Sequence, residues 1–222
     1  MRLVAVLPAL DEEATIAAVV EGVAPFVDEV IVVDNGSGDA TAPRAAAAGA
    51  RVVAEPRRGY GAACLAGALA APEGALLVYL DADGSDDPAA LVGVAAPVLA
   101  GEADLVLGSR VRGRREPGAL APHQLAANRA IASLLRLRWR LPVTDIGPMR
   151  AIARERLLGL ALRSRTHAWP VEMLVAAARA GLRVEEVPVD TRRRAGGRSK
   201  VAGSVRGSAK AGVRLIGALL RS

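Results

Sequence analysis

The sequence predicts an α/β protein with a doubly wound, mostly parallel sheet, and three observations carry this prediction. Short apolar runs alternate with helical segments through residue 109, as they do where helices cover both faces of a parallel sheet. The runs are apolar throughout and too short for helices, which is typical of strands buried on both faces. Turns rich in acids and glycine follow them, where open α/β sheets bind ligands.

Residues 1–109 supply the regular part of this pattern. Predicted strands stop at a proline, an acid or a glycine, and several predicted helices begin after a capping residue or a proline. Pro8 is expected to end the first strand and Asp11 to cap the first helix, while Asp86 and Asp87 are interpreted as caps of the fourth helix. The predicted strands are 2–7, 29–33, 51–55, 76–80 and 104–107; the predicted helices are 12–23, 40–48, 61–71 and 88–100.

Residues 110–222 depart from the regular alternation. A basic loop rich in glycine and proline opens this half, and a second basic glycine loop covers residues 192–200. Helices are predicted at 123–138 and 169–181 and strands at 149–153 and 183–189. Residues 201–220 are predicted to form a closing amphipathic helix, with Arg206, Lys210 and Arg214 along one side.

The composition bounds the class of protein. The chain has 222 residues, of which 52% are apolar and only 2% aromatic, so Ala, Val and Leu must build the core of one large domain. Its single cysteine, Cys64, excludes an intramolecular disulfide and a cysteine-based zinc site. We find no signal peptide and no apolar run of roughly 20 residues, the length of a membrane span. These absences predict a soluble cytoplasmic protein.

Charge is divided sharply along the chain. Residues 1–109 carry 5 Lys/Arg and 16 Asp/Glu, whereas residues 110–222 carry 24 Lys/Arg and 7 Asp/Glu. The first half can therefore hold a metal ion and the second half anions. Nucleic acid is disfavoured as the anion because stacking aromatics are scarce. Phosphorylated small molecules or anionic lipid headgroups fit better.

The central motif is Asp81-Ala82-Asp83, directly after the predicted strand 76–80. Two carboxylates one residue apart repel each other unless a cation lies beside them. Such oxygen ligands suit Mg²⁺ or Mn²⁺, with the oxygens of a diphosphate completing the shell. A solvated acidic turn is the alternative, but helix capping does not explain two acids before a glycine at the end of a strand. We therefore predict a metal site at Asp81 and Asp83.

Several motifs together resemble the family 2 glycosyltransferases with a GT-A fold, especially the soluble, dolichyl-phosphate-mannose-synthase-like members. Three departures from the family pattern are Asp11 for the usual Asn, Asn35 for the usual second Asp, and Ser85 for a Gln that contacts the metal. The matching segments, which are distributed over residues 3–200, are LPALDEEATI, VVDNGSGDAT, RGYGAACLAG, LDADGSDDP, LVLGSR, DIGPMRAI, WPVEMLVAAARAGLRVEEVPV and RAGGRSK.

The resemblance implies a metal-dependent, inverting transfer of a sugar from a UDP- or GDP-linked donor to an acceptor. It also implies a single domain over residues 1–222, with a nucleotide-sugar half (1–109), an acceptor-side half (110–200) and the terminal helix. The implied donor-binding residues are Pro8, Leu10, Glu12, Asp34, Gly59, Gly61, Asp81 and Asp83. The implied acceptor or phosphate-binding residues are Arg110, Arg129, Ser133, Arg194, Ser199 and Lys200.

The chemistry of the acceptor is left open by the residues. A hydroxyl acceptor needs a general base, for which Glu172 and Asp145 are the candidates, whereas a phosphate acceptor is already ionised and needs positioning cations. The two basic loops favour a phosphate, and we expect a polyprenyl phosphate reached by peripheral contact with the inner face of a membrane.

Two alternative functions stay open at this point. A sugar-phosphate nucleotidyltransferase would need a basic, glycine-rich loop after its first strand, and LPALDEE is acidic there. A non-catalytic module that binds nucleotide sugars is disfavoured by the intact pair Asp81 and Asp83. A dinucleotide-binding protein is disfavoured because Gly59 and Gly61 lack the third glycine of that motif.

Overall fold

A seven-stranded sheet with the strand order β3-β2-β1-β4-β6-β5-β7 forms the centre of the protein. The structure is a computed structural model that describes residues 1–194. Strand β6 is antiparallel to both of its neighbours, β4 and β5, and the other strand pairs are parallel. The strands are β1 (Leu3–Ala9), β2 (Glu29–Asp34), β3 (Arg51–Ala54), β4 (Leu76–Tyr79), β5 (Leu105–Ser109), β6 (Arg150–Ala153) and β7 (Val184–Pro188).

Helices pack on both faces of this sheet. The alternation of side chains along β1 sends Val4 and Val6 into one apolar cluster and Ala5 and Leu7 into the other. The first cluster includes α3, α5, α6 and α7, and the second includes α1, α2 and α4. The helices are α1 (Ile16–Val23), α2 (Thr41–Ala47), α3 (Tyr60–Ala70), α4 (Ala90–Leu99), α5 (Pro122–Trp139), α6 (Arg154–Gly159) and α7 (Trp169–Arg179).

The reversed direction of β6 determines which segments meet at the functional edge of the sheet. Tyr79 at the end of β4 pairs with Arg150 at the start of β6, so the residues that precede β6 lie beyond the carboxyl end of β4. Ser109 at the end of β5 pairs with Pro188 at the end of β7. The segments after β4, β5 and β7 and the segment before β6 therefore share one edge.

The predicted strands are all present, but some local expectations were wrong. Strand β1 continues through Pro8, whose missing N–H is tolerated because β4 pairs with β1 only as far as Val6. Helix α1 begins at Ile16, because Asp11 has a left-handed φ of 47° and its carboxylate accepts a hydrogen bond from the Gly38 amide instead of capping the helix. Helix α6 was not predicted.

The expected cap at Asp86 was also wrong. Asp86 is buried, and its Oδ2 accepts a hydrogen bond from the Asp81 amide at 3.2 Å. Asp87 lies nearer the helix start, where its Oδ1 accepts a hydrogen bond from the Ala89 amide at 3.3 Å. The two adjacent acids therefore have different roles.

The expected sites at Ser199 and Lys200 and the predicted terminal helix 201–220 lie outside the described residues. Among the helices of residues 1–194, none combines the length and the apolar character needed to cross a membrane.

Candidate active site

Three carboxylates lie in the turn that follows β4, and two of them are buried. Asp83 and Asp86 are 3% and 6% exposed, and Asp81 is half-buried. The Oδ1 atom of Asp83 accepts a hydrogen bond from the Ser85 amide at 2.9 Å. The Oδ1 atom of Asp86 is buried and finds no hydrogen-bond donor among residues 1–194. An unsatisfied carboxylate oxygen at this depth favours a ligand-binding role for the turn.

These carboxylates raise one another's affinity for protons. Burial raises the pKa of Asp81 to about 7, and the nearby charges of Asp86 and Asp83 add to the shift. Burial likewise raises the pKa of Asp86, against the hydrogen bond from the Asp81 amide and the charge of Arg110, which lower it. Because the negative charges are poorly compensated, the turn would be stabilised by a cation.

Asp83 in this turn is already paired with a cation. The guanidinium of Arg194 forms an ion pair of 2.8 Å with Asp83 Oδ2. The segment before it is held to the turn, since the amide of Arg192 and the hydroxyl of Thr191 both donate to the carbonyl of Ser85, at 2.9 and 3.2 Å. Arg194 therefore lies where the sequence predicts a divalent ion.

The carboxylates of this turn fit a divalent ion that is also coordinated by a bound phosphate compound. Within residues 1–194, no group of three or more His, Cys, Asp or Glu is placed to hold a metal by itself. Asp81 and Asp83 supply hard oxygens, which is the pattern for Mg²⁺ or Mn²⁺ bound through one or two carboxylates and phosphate oxygens. Binding to Asp83 Oδ2 requires Arg194 to move away.

A second part of the site lies beyond β2. Asp34 ends this strand, and its Oδ1 accepts a hydrogen bond from the Ser37 amide at 3.0 Å. The side chain of buried Asn35 donates to the carbonyls of Glu55 and Arg57, both at 2.9 Å, and accepts from the Gly59 amide at 2.7 Å. Asn35 therefore fixes the loop that leads to Gly59, and its two donated bonds explain why an Asp would not serve there.

Close packing accounts for Gly59 and Gly61. A Cβ at Gly61 would lie 2.5 Å from the carbonyl oxygen of Ser164, and a Cβ at Gly59 would overlap the carbonyl of Arg165. Gly59 also has a φ of 143°, which side chains rarely tolerate. The loop 163–166 therefore covers both glycines, whose predicted contact with a nucleoside stays a prediction.

Two residues of the predicted donor loop, Pro8 and Glu12, contact β2 and the start of α2. Pro8 pairs with Val33 in the sheet, Leu10 is half-buried, and the Glu12 amide donates to Thr41 Oγ1 at 2.8 Å. Nearby, His167 stacks on Tyr60 with ring centroids 5.6 Å apart, and burial lowers its pKa.

Arg110 is held firmly at the edge of the sheet. Its Nε and Nη2 atoms donate to the two oxygens of Asp145 at 2.8 and 3.0 Å, and its amide donates to Asp145 Oδ2 at 3.0 Å. Asp145 also accepts hydrogen bonds from Asn128 and the Ile146 amide, both at 2.7 Å. The Asp145 pKa is lowered, since these hydrogen bonds and the charge of Arg110 outweigh its burial. This geometry favours a positioning role for Asp145 over that of a general base.

Glu172, the other candidate base, also uses both oxygens in hydrogen bonds. Its Oε1 and Oε2 accept from the amides of Arg163 and Ser164 at 2.9 and 2.8 Å. The carboxylate thus ties α7 to the loop that covers Gly59 and Gly61. Its role as a base stays a prediction.

The remaining predicted acceptor residues lie on α5. Arg129 and Ser133 are exposed, and the Ser133 hydroxyl accepts a hydrogen bond from Arg136 at 3.2 Å, within the same helix. Asn128, one residue before Arg129, reaches Asp145. The structure thus connects α5 to the site through Asn128.

Sequence reasoning missed two buried charged residues. Arg150 is 0% exposed and donates to the carbonyls of Gly147, Pro148 and Pro170, and burial lowers its pKa. Glu186 is 8% exposed and accepts from Thr144 and Asp145. The alternation along β7 offered a signal for Glu186, because it shares the face of buried Val184.

Comparison with known proteins identifies the family. The profile described as glycosyl transferase family 2 matches residues 4–159. The chain belongs to glycosyl transferase family 2. The enzyme is therefore a glycosyltransferase, and its sheet has the GT-A architecture expected from the sequence. It is 47% identical over 204 residues, 91% of each chain, to an uncharacterized glycosyltransferase of Mycobacterium tuberculosis.

Solved structures give a more detailed comparison. The enzyme is similar to glucosyl-3-phosphoglycerate synthase from Mycobacterium tuberculosis in complex with Mn²⁺, uridine-diphosphate-glucose and phosphoglyceric acid. That match has a TM-score of 0.76 and 27% identity, and it covers 97% of this chain and 80% of the other.

A further sequence relative is the low-salt glycan biosynthesis hexosyltransferase Agl6 of Haloferax volcanii. It is 30% identical over 191 residues, which are 83% of this chain and 46% of that protein.

Proposed function

We propose that this glycosyltransferase moves a sugar from a uridine-diphosphate sugar to an acceptor that bears a phosphate. The observation that carries the proposal is the shared edge, where the acidic turn Asp81–Asp83 and the fixed cation Arg110 meet. The charges of Asp81 and Asp86 act on Arg110, so the two halves of the site lie close to each other. The related synthase binds Mn²⁺, a uridine-diphosphate sugar and a phosphate-bearing acid, which supports this assignment.

The donor is assigned to the side of the edge formed by β1, β2 and β4. Asp34 is proposed to read the nucleobase, with Pro8, Leu10, Glu12 and the loop at Gly59 around the nucleoside. Asp81 and Asp83 would hold a divalent ion, which neutralises charge on the leaving diphosphate when it is bound. Arg194, once displaced from Asp83, would remain close enough to contact the same diphosphate.

The acceptor is assigned to the basic side, with Arg110 as its first phosphate contact. Where the phosphate oxygen itself attacks the sugar, it is already ionised and needs orientation but no removal of a proton. This agrees with the carboxylates of Asp145 and Glu172, whose oxygens are engaged by hydrogen bonds. Arg129 and Ser133 on α5 stay as proposed outer contacts. Inversion at the anomeric carbon is expected from the family resemblance.

Two classes of phosphate acceptor follow from different arguments. A small phosphorylated acid such as 3-phosphoglycerate is favoured by the related synthase structures. A polyprenyl phosphate is the expectation from the basic loops at 110–115 and 192–200 and from the predicted terminal helix. Arg110 would contact the phosphate of either substrate, but 3-phosphoglycerate also carries a hydroxyl, and attack by that hydroxyl would need a general base.

The test is a transfer assay with radiolabelled UDP-glucose and GDP-mannose. Each donor is combined with Mn²⁺ and with 3-phosphoglycerate, undecaprenyl phosphate, or the dephosphorylated form of each acceptor. We expect transfer from the uridine donor to a phosphorylated acceptor, with an anomeric proton coupling that reports inversion. Equal or better transfer to a dephosphorylated acceptor would overturn the proposal and make Glu172 or Asp145 an obligatory base.

The metal assignment has a separate test in the variant Asp83→Ala. We expect the variant to keep its fold, measured by circular dichroism, and to lose the Mn²⁺-dependent part of its UDP affinity, measured by calorimetry. The matched variant Asp87→Ala changes an acid of the same turn that pairs with Arg192 at 3.4 Å, and it should keep Mn²⁺-dependent binding. Metal-dependent affinity that survives Asp83→Ala would refute the assignment.

A further inference from the structure

We propose that Glu186 is a positioning residue that fixes Arg110, through Thr144 and Asp145, in the orientation that binds an acceptor phosphate. The proposal deepens the proposed function and rests on it in one respect, the assignment of Arg110 as the phosphate contact. Two successive sets of hydrogen bonds between Glu186 and Arg110 support it.

The first set joins Glu186 to the segment that precedes β6. Its Oε1 accepts hydrogen bonds from the amides of Thr144 and Asp145 at 2.7 and 3.0 Å, and its Oε2 accepts from the Thr144 hydroxyl at 2.6 Å. The Thr144 hydroxyl also lies 2.8 Å from the hydroxyl of Ser109, which is fully buried at the end of β5. One carboxylate thus fixes two consecutive backbone amides against the end of β5.

The second set joins Asp145 to Arg110. Because the Asp145 amide is held by Glu186, its carboxylate has a fixed position from which it receives Nε and Nη2 of Arg110. A planar guanidinium bound by two parallel hydrogen bonds has little rotational freedom. Nη1 makes none of these bonds with Asp145, and it is the atom proposed to bind the phosphate. The Arg110 side chain is only 15% exposed, so its position depends on these contacts.

The two carboxylates of this arrangement, Asp145 and Glu186, are negatively charged like the phosphate that Arg110 is proposed to bind. Electrostatics alone makes this unfavourable, because the charges of Glu186 and Asp145 oppose a phosphate at Arg110. Burying the two carboxylates also costs free energy unless they are fully hydrogen-bonded, as they are here. These contacts fix the orientation of the Arg110 guanidinium. A preorganised cation binds its anion without the entropic cost of ordering a flexible side chain, and this gain is the physical reason for the arrangement.

Removal of Glu186 distinguishes electrostatic repulsion from orientation by the sign of its effect on phosphate binding. If the charge of Glu186 alone mattered, its removal would strengthen phosphate binding. If Glu186 orients Arg110, its removal weakens phosphate binding in spite of the lost repulsion. A glutamine keeps the shape, because Oε1 can still accept both amides while Nε2 donates to the Thr144 hydroxyl.

The experiment measures two dissociation constants in each variant. Inorganic phosphate is titrated and followed by ³¹P line broadening, and UDP with Mn²⁺ is titrated by calorimetry. The variants are Glu186→Ala, Glu186→Gln, Arg110→Ala and the double variant Arg110→Ala with Glu186→Ala. Glu185→Ala is the matched control, because Glu185 is the exposed neighbour on the same strand.

We expect Glu186→Ala to weaken phosphate binding at least tenfold and to leave UDP binding within twofold. Glu186→Gln should stay within threefold of the wild type, and Glu185→Ala should not differ from it. The double variant should bind phosphate no more weakly than Arg110→Ala, because the two residues act as one unit. Phosphate binding by Glu186→Ala that equals or exceeds that of the wild type, while Arg110→Ala is impaired, overturns the proposal.

The same set separates this proposal from the proposed function. Normal phosphate binding by Arg110→Ala would refute the assignment of Arg110 as the phosphate contact, whatever Glu186 does. If circular dichroism finds Glu186→Ala unfolded, Asp145→Asn replaces it, since the amide presents a donor to the guanidinium and releases Arg110. Weaker phosphate binding by Asp145→Asn supports the positioning chain, and unchanged or tighter binding overturns it.

Discussion

At the scale of single residues, Asp86 is the most unusual group in the acidic turn. It is buried next to Asp81, and its Oδ1 has no donor among residues 1–194. Burial raises its pKa to about 6, from an ordinary value of 3.8. The folded state therefore binds a proton at Asp86 more tightly than the unfolded state does. This difference links the free energy of unfolding to pH.

The sign of this linkage gives the first prediction. The contribution of Asp86 to stability is fully present below pH 4 and is lost as the pH rises through about 6. Asp86→Asn removes that loss, and it also removes a charge that raises the pKa of Asp81. In the presence of EDTA, we expect the free energy of unfolding of the variant, relative to the wild type, to increase between pH 4 and pH 7. Urea denaturation measures it, and a pH-independent difference would contradict the burial of this charge.

A second prediction concerns Asn35, where the family pattern has an acid. Asn35→Asp replaces a group that donates to the carbonyls of Glu55 and Arg57 with one that repels them. Losing such bonds at a buried position costs about 1–3 kcal/mol. We expect a lower free energy of unfolding in urea and weaker UDP binding. Asp34→Asn is the control for stability, because its Oδ1 can still accept from Ser37, and equal stability of the two variants would refute the loop-fixing role.

At the scale of elements, the loop 163–166 links α7 to α3. Glu172 holds the amides at one end of this loop, and Gly61 allows its backbone to approach the start of α3. The same loop borders the segment that is proposed to contact the nucleoside. Packing between these elements therefore affects both stability and donor binding.

The third prediction tests this contact with Gly61→Ala. The added Cβ would meet the carbonyl of Ser164 at 2.5 Å and Trp169 Cβ at 2.8 Å, so α3 or the loop must shift. Overpacking of this kind typically costs 1–3 kcal/mol, roughly 10-fold or more in the folding equilibrium. Gly159→Ala on α6 is the matched control, since no atom lies within 4 Å of its added Cβ. Equal melting temperatures of the two variants would contradict the close approach.

Some features of the helices and strands could be predicted from the sequence alone, and others could not. The strands followed from apolar runs bounded by turn residues, because burial on both faces leaves a strong local pattern. The start of α1 did not, since Asp11 bonds to Gly38, which is far away in sequence. The reversed direction of β6 depends on pairing between distant strands, which local patterns do not encode. The acidic turn was predictable because its residues are adjacent, whereas the Arg110–Asp145 pair depends on the fold.

At the scale of the whole molecule, the acidic and basic halves meet along one edge of the sheet. The segment after β7 returns to the acidic turn, where Arg194 contacts Asp83 and Arg192 contacts Asp87. Acidic and basic residues that are far apart in the sequence thus form ion pairs in the fold. The proposed metal site is occupied by a side chain from the other half of the chain.

The fourth prediction follows from this occupation. Arg194→Gln removes the cation that a metal ion must displace, so Mn²⁺ alone should bind more tightly than to the wild type. A charged hydrogen bond is worth about 1.5–3 kcal/mol, which corresponds to roughly 10-fold or more in affinity. Calorimetry without nucleotide measures the change. Arg192→Gln is the control, and a Mn²⁺ affinity of Arg194→Gln equal to that of the control would refute the competition.

The ion pair between Asp83 and Arg194 has a consequence for the order of events in turnover. A tethered guanidinium acts at a fixed local concentration, so free metal ions compete with it poorly, whereas a diphosphate offers it another partner. We therefore expect metal and nucleotide to enter together as one complex, and not in a fixed sequence. After the nucleoside diphosphate leaves, Arg194 would be free to pair with Asp83 again and would compete there with a bound ion. This competition would favour release of the ion between cycles.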